Sequence, residues 1–548
     1  LENKKEIRRS AALMSLATLI SRVLGFGRDM LSARLFGAGL VSDAFLVAFR
    51  LPNLFRDLLA EGALSSALVP ALAKARQQGG DEEVWRLAGL MLSAMTLILG
   101  FLVLVGVLGA PWLLRMAAPG FSVRPEQFAL ALRLTRIVFP FIGFVGLAAI
   151  FMGMLNARKA FFVPALAPAM MNVVMILFGV LVCPRLSGGP QTQILGWAVG
   201  AMVGGAAQCL VQVPFALRAG FRWRLRWPFG DAAVRRIFSA LGPALLGQST
   251  TQLNLLVNTI IASHLALGSI TYLSYGNRVF QLPLGVFGVA IAAAVLPDLA
   301  AYHGAGDMKN YRRTLGYGLR LTLFTDLPAF VGLLCLALPI HVLLFQGGHF
   351  TLADARATAW ASGVYTCGVV FASWIKVLVP AFYALDSPAT PVKVGMAMVL
   401  LNLVLNLLLW RPFGYLGLAA TTTLTSLVQA VLLQVLLSRR VGPLWRREDL
   451  GQVLRMFGAT AVMAGVVLGA SWLLGMLWPG WQAGGAGKLR LAWQVLLLMA
   501  LGVGSYMGTA AAWGLGELIP ARFWPRKARG EAARGEVARA TASAYDEP

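Results

Sequence analysis

Residues 11–39 read AALMSLATLISRVLGFGRDMLSARLFGAG, and residues 42–73 follow with SDAFLVAFRLPNLFRDLLAEGALSSALVPALA. Both stretches are apolar, helix-forming text of bilayer-crossing length. Yet Arg22, Arg28, Asp29, Arg50, Arg56, Asp57 and Glu61 lie inside them. An ionisable group at bilayer depth costs about 2.5–3.5 kcal/mol on insertion scales, and it persists where it faces a bundle interior or a wet cavity. Several in two consecutive spans point to a polar cavity that holds an anion.

The rest of the chain agrees with that reading. Of 548 residues, 58% are hydrophobic and 13% charged, with a mean hydropathy of +0.72; a soluble domain carries about a quarter charged residues. Continuous apolar runs, rather than short alternating strands, predict an all-α polytopic membrane protein. About fourteen spans are expected, at residues 10–36, 43–73, 85–110, 128–155, 161–183, 192–217, 236–265, 270–300, 314–338, 357–384, 391–410, 414–437, 452–477 and 490–515. The first is too long for a cleavable signal peptide. Arg and Lys concentrate in alternate loops, which by the positive-inside rule makes those loops and both termini cytoplasmic.

The net charge of +24 therefore reports topology, and no basic domain is present to bind nucleic acid. Cys183, Cys209, Cys335 and Cys367 are scattered, and the four histidines have no metal-ligand spacing. No phosphate-binding glycine loop and no hydrolase or metalloprotease motif occurs, so neither catalytic nor metal-binding residues are expected and the chain does not read as an enzyme.

An internal repeat organises the spans. SSALVPALA (Ser65–Ala73) returns as AAAVLPDLA (Ala292–Ala300), with Arg50 preceding one copy and Arg278 the other. Six spans separate the copies, so the two six-helix halves share one orientation, with the transport path expected between lobes. The resulting division is an N-lobe at residues 1–218, an amphipathic cytoplasmic linker at 219–235, a C-lobe at 236–440, two added helices within 441–518, and a tail at 519–548 expected to be disordered.

Gly25 and Gly27, between Arg22 and Arg28, allow a helix break that would bring both guanidinium groups to one site. Arg22 is too deep to snorkel; Arg28 and Asp29 alternatively neutralise each other. Arg50, Asp57 and Glu61 share a helix face at i, i+7 and i+11, with the two acids read as gating, pairing or ligand residues and Arg56 as a ligand. Arg278 in YLSYGNRVFQLP and Lys376 in FASWIKVLVP carry positive charge in the second half. Guanidinium groups bind phosphate bidentately, which suits a pyrophosphate guest. Asn258, Asn402, Asn406 and Thr422 form a candidate cation site through side-chain oxygens, as against interhelical hydrogen bonding, the commoner work of buried asparagine.

With SRVLGFGRD, the 42–73 stretch, the Asn156–Lys159 loop and TPVKV (Thr390–Val394), the chain closely resembles the MurJ/MviN lipid II flippase family of the MOP exporter superfamily. The resemblance implies that it moves undecaprenyl-pyrophosphate-linked peptidoglycan precursor to the outer leaflet of the bacterial inner membrane. Alternating access through a central cationic cavity is the implied mechanism. It implies Arg22, Arg28, Arg56 and Arg278 as cavity arginines, Asp29, Asp43 and Glu61 as family acids, and a polyprenyl-tail groove on the last two spans. Lipid II and membrane lipids are the implied partners, with the cell-wall synthesis machinery a further one. Two departures stand out. Gln281 occupies a place where some members have an acid, which weakens any salt-bridge gate there. Asn258 and Asn406 occupy places where some members bind sodium with aspartates, leaving membrane potential or another coupling cation to drive the cycle, with no other cofactor. The alternative reading is a cation-coupled exporter of drugs or of another lipid-linked oligosaccharide.

Overall fold

In lipid every peptide group must be satisfied within its own segment, and apolar text of this kind has only the helix to do so. The computed structural model describes residues 2–58, 64–158, 160–222, 227–445, 447–483 and 487–519. Through the first half run α1 (Glu2–Phe36), α2 (Leu40–Leu58), α3 (Leu64–Leu108), α4 (Ala110–Ala117), α5 (Pro125–Val138), α6 (Phe141–Ala157), α7 (Phe162–Leu177), α8 (Pro190–Leu210) and α9 (Val213–Arg218). There follow α10 (Ala232–Ala262), α11 (Ser269–Pro283), α12 (Val289–Gly304), α13 (Met308–Cys335), α14 (Ala337–Leu344), α15 (Leu352–Thr366), α16 (Val369–Ala384), α17 (Ala389–Val441), α18 (Arg447–Leu477) and α19 (Lys488–Ala512). A π-helical turn, Leu284–Gly288, joins α11 to α12. Among the described residues the single β-type contact is the bridge between Gly347 and Phe350.

The all-α polytopic architecture is as expected; the expected count of about fourteen spans is not reached by length and apolarity alone among the described residues. Nine described helices are long and apolar enough to cross a membrane, or ten if the bent pair α15–α16 is one span. Expected spans 11 and 12 are the two arms of α17, which kinks at Gly414, φ 56°. The helices bearing intramembrane charge, α1 and α2, are not among the nine. A second expectation also fails: α1 is helical straight through Gly25 and Gly27, so no break gathers Arg22 and Arg28. Glu61 and the tail from residue 520 lie outside the described residues, as does part of the linker.

The chain divides into two compact units. The first comprises Leu1–Val279, His341–Tyr365 and Ala389–Thr425; the second comprises Phe280–Ile340, Thr366–Pro388 and Ser426–Pro548. In the first, α1 packs on α7, α7 on α8, α2 on α5 and α3 on α6. The turn after α1 needs a left-handed residue, Gly37 at φ 67°, and a Cβ there would come within 2.5 Å of the His349 carbonyl oxygen. His349 in turn donates its amide to the Arg34 carbonyl at 2.9 Å, fixing the 347–350 segment to the end of α1. In the second unit α13 is the central helix, packed against α12, α16 and α18. Leu454, Trp472, Leu489 and Trp493 stand exposed on α18 and α19, apolar surface of the kind lipid covers.

Candidate functional site

The first unit gathers a polar cluster from three helices, two of them supplying charge. Successive residues of α1 supply Arg28 and Asp29, α7 supplies Asn172 and α11 supplies Arg278. Arg28 donates from Nη2 and Nε to Asp29 Oδ1 at 2.7 and 3.0 Å, and from Nη1 to Asn172 Oδ1 at 3.1 Å. The other carboxylate oxygen, Oδ2, accepts from Arg278 Nε at 2.6 Å. Asn172 is held from its far end, donating Nδ2 to the Ser21 carbonyl at 3.1 Å. One carboxylate thus sits between two guanidinium groups, leaving one net positive charge.

Exposure decides which arginine can meet a guest. The side chains of Arg28 and Asp29 are 13% and 12% exposed, that of Arg278 43%. Arg278 spends only Nε on Asp29, and its Nη1 and Nη2 make no hydrogen bond to any described residue. That leaves a two-nitrogen edge of the kind that grips phosphate oxygens bidentately. Arg22 is exposed and makes no hydrogen bond or ion pair among the described residues. Six residues before Arg28, it projects about 120° around the helix from it, and the structure does not bring the two together.

Arg50 and Asp57 share one face of α2, as expected; Glu61 lies outside the described residues. Arg50 donates to Thr259 Oγ1 at 2.5 Å, and Asp57 accepts from Gln252 Nε2 at 3.3 Å. The partners step back along α10 by the same seven residues, so the two helices run antiparallel and zip their polar faces. Arg56 pairs with Asp57, Nη2 to Oδ1, at 2.8 Å. Asp43, at the start of α2, accepts from the Gly268 and Thr271 amides at 2.7 and 2.9 Å and from Thr271 Oγ1 at 2.7 Å. It is an N-cap for α11 delivered from another helix. Asp354 supports the same end, accepting from Tyr272 Oη at 2.8 Å.

Asn258 and Asn402 both turn their oxygens onto the Asn406 amide, at 2.7 and 2.9 Å. The Asn406 amide nitrogen stands at the point where those two oxygens converge. Thr422 returns its hydroxyl to the Leu418 carbonyl at 3.1 Å. In the second unit Lys376 is exposed on α16, with no hydrogen bond or ion pair among the described residues.

Beyond the spans, Arg86 joins Glu83 and Asp231 at 2.7 and 2.6 Å. These line or border a cleft of about 590 Å³ that also contains Trp85 and Arg222. Asp231 caps α10 through the Ala233 and Val234 amides at 2.8 and 3.4 Å. Burial raises its carboxyl, but Arg86 and the two amides outweigh that and hold it below the usual carboxylate value.

Sequence reasoning missed Asn172, the clamp on Arg28, for which a lone asparagine in ALAPAMMNVVMIL was the available signal. It also missed the α13–α18 pair Arg320–Asp449 and Asp326.

A bracketed acid with one open arginine is the kind of group the resemblance implied, and the likeness extends over most of the chain. The profile of the family described as Lipid II flippase MurJ matches residues 32–480. The chain belongs to the MurJ lipid II flippase family. A probable lipid II flippase MurJ of Vibrio cholerae is 34% identical over 512 residues, covering 92% of this chain and 95% of that protein. The lipid II flippase MurJ of Burkholderia cenocepacia is 34% identical over 504 residues, covering 90% and 95%. A solved MurJ in an inward closed conformation aligns with TM-score 0.75 at 24% identity, covering 93% of this chain and all of that one. An inward-facing multidrug MATE transporter of the MOP superfamily aligns with TM-score 0.64 at 14% identity, covering 79% and 98%. These two likenesses establish the fold that MurJ and MATE proteins share.

Proposed function

We propose that this protein is a lipid II flippase, carrying undecaprenyl-pyrophosphate-linked peptidoglycan precursor from the inner to the outer leaflet of the bacterial cytoplasmic membrane. Family membership supports the reading, and the observation that carries it to particular atoms is the free Nη edge of Arg278 beside the neutral Arg28–Asp29 pair. A pyrophosphate arriving there finds a cation whose desolvation is already partly offset by Asp29, and it need not displace that carboxylate. Arg28 and Asn172 hold Asp29, and so hold Arg278, in place.

Both termini lie in the cytoplasm. The headgroup enters from that side, and the polyprenyl tail stays against the apolar surfaces of α18 and α19. Arg22, Arg56 and Lys376 add positive charge along the path. Asp43, Arg50 and Asp57 remake their contacts as access alternates, with membrane potential or a coupling cation supplying the energy. Contact with the cell-wall synthesis machinery would deliver the product to its users.

The test is lipid II at the outer leaflet of cells depleted of their own flippase and complemented with this chain. Wild type restores it, and Arg28→Ala or Arg278→Ala, inserted at normal levels, does not. Full restoration by both variants would overturn the assignment. Binding of a cationic drug in preference to lipid II by the purified protein would favour the drug-exporter alternative.

A further inference from the structure

In the second unit, α13 carries Asp326 in the apolar text LTLFTDLPAF. Its side chain is fully buried, and neither Oδ1 nor Oδ2 has a hydrogen-bond partner. The antiparallel packing of α16 on α13, held by Tyr311 Oη to the Ala381 carbonyl at 2.7 Å and Trp374 Nε1 to the Leu319 carbonyl at 3.1 Å, brings Ser373 to the level of Asp326. Ser373 is itself fully buried, and its Oγ likewise makes no hydrogen bond of ordinary geometry. The third wall is the π-helical turn Leu284–Gly288, which packs on both helices. It closes on Ser373 so tightly that a Cβ at Gly288 would lie 2.7 Å from the serine oxygen. Three buried oxygens therefore face one another between apolar helices.

Among the described residues no cation pairs with the carboxylate. The π-helical turn has no titratable residue. On α13, Arg320 lies nearly two turns away and is committed to Asp449 of α18. Lys376 on α16 is exposed. Asp298 and His303 lie far along α12, roughly 15 Å or more from the turn by helix rise. Tyr506 of α19 donates its hydroxyl to the Phe324 carbonyl at 2.8 Å. An isolated ionised carboxylate in such surroundings is far costlier than a neutral acid. One proton resolves the whole cluster: the acid O–H donates to Ser373 Oγ, and the serine hydroxyl turns to a carbonyl of its own helix, as serines in helices do.

We propose that Asp326 and Ser373 form a proton-binding site, loaded at neutral pH in this conformation, whose release and reloading accompany the transport cycle. The binding half stands on the geometry alone, and the transport half rests on the flippase reading. Loading is a simple protonation of the carboxylate, and release returns the proton to water when the three walls part. The site is separate from the Asn258–Asn402–Asn406 cluster, which belongs to the other unit.

Two measurements on the full-length protein test it. Infrared difference spectra of wild type against Asp326→Asn, in lipid without any lipid II, should show the carbonyl stretch of a protonated carboxylic acid in the wild type and its loss in the variant. Ser373→Ala should move that band, because the acid loses its hydrogen-bond acceptor, and it keeps the test alive should the asparagine variant misfold. Absence of the band in the wild type, or its abolition by sodium at constant pH, overturns the proton assignment. In complemented cells, outer-leaflet lipid II exported by the wild type should respond to a transmembrane pH gradient and that exported by Asp326→Asn should not; a wild type without that response overturns the coupling. An unchanged response overturns the coupling. Loss of the band together with intact lipid II export in the absence of a gradient separates this proposal from the flippase reading.

Discussion

In the first unit Asp29 lies between two guanidinium groups with both oxygens engaged. In the second, among the described residues, Asp326 has no cation paired with it and no hydrogen bond on either oxygen. Both acids sit in apolar helices, so both face the same desolvation cost, and the chain meets it in two ways. Around Asp29 the counter-charge is built into the protein and exceeds what the acid needs by one arginine. That surplus is the source of an anion site. Around Asp326 the protein supplies no counter-charge, so neutrality has to come from solvent as a proton. Excess fixed cation recruits an anionic guest; missing fixed cation recruits a mobile one.

The largest effect should come from removing the surplus. Arg278→Ala deletes the open cation and leaves Asp29 with one partner. A charge-assisted contact from this part-exposed arginine to a pyrophosphate is worth about 1.5–3 kcal/mol, or roughly ten- to a hundred-fold in affinity. Lipid II binding by purified protein and outer-leaflet lipid II in cells should both fall by that order. Arg278→Lys should recover part of the loss, since it keeps the charge but not the two-pronged edge. The double variant Asp29→Asn/Arg278→Gln sharpens the contrast. If the arginine served only to neutralise Asp29, the double variant would restore both stability and flipping. The anion-site reading expects thermal stability to return while flipping does not.

Next comes the acid that caps rather than pairs. Asp43 accepts three hydrogen bonds at the start of α11, the helix that carries Arg278. Hydrogen bonds to a charged group are each worth about 1.5–3 kcal/mol and are not additive. Asp43→Ala should lower the unfolding temperature measurably, by a loss on the order of 2–3 kcal/mol. Asp43→Asn, which keeps an acceptor oxygen, should lose less. Equal stability of the alanine variant and wild type would show that the cap is idle and that α11 is positioned by packing alone.

How much of this was readable beforehand follows from where the information lies along the chain. The arginines of α1 and α2 announced themselves because charge in apolar text is expensive, and Arg50 and Asp57 could be placed on one face by helical period alone. Their α10 partners, Thr259 and Gln252, could not, and neither could the Asp29–Arg278 contact across 249 residues, because local pattern does not encode which helix packs on which. The expected break at Gly25 and Gly27 overrated glycine. Its helix penalty, about 1 kcal/mol, is smaller than the cost of unpaired peptide groups in lipid. Asp326 was visible on the same energetic ground as Arg28, but no neighbouring charge or repeat drew the eye to it. In the asparagine cluster Asn402 and Asn406 were legible as a pair at helical spacing; which atoms face inward depends on rotamers that only the packed structure fixes.

The smallest effect belongs to an acid that water can still reach. Asp231 bonds two amides of α10 and pairs with Arg86, with side chains 18% and 35% exposed. Solvent screening limits such a pair to about 0.2–1 kcal/mol. Its carboxyl is held below the ordinary value, so the folded state releases its proton more readily than the unfolded chain. The stabilisation is therefore fully present above the unfolded value of about 3.9 and disappears as pH falls through the lower folded value. Between pH 7 and pH 5 the difference in stability between wild type and Asp231→Asn should be constant. Below about pH 4 it should shrink toward zero as the wild-type carboxylate is protonated. Asparagine is an adequate N-cap, so this variant isolates the ion pair. Asp231→Ala should lose about 1 kcal/mol more through the cap. A gap between wild type and Asp231→Asn that widens on acidification would mean the carboxylate is strained rather than stabilised where it stands. Asp231 would then belong with Asp326, as an acid whose folded site favours the proton.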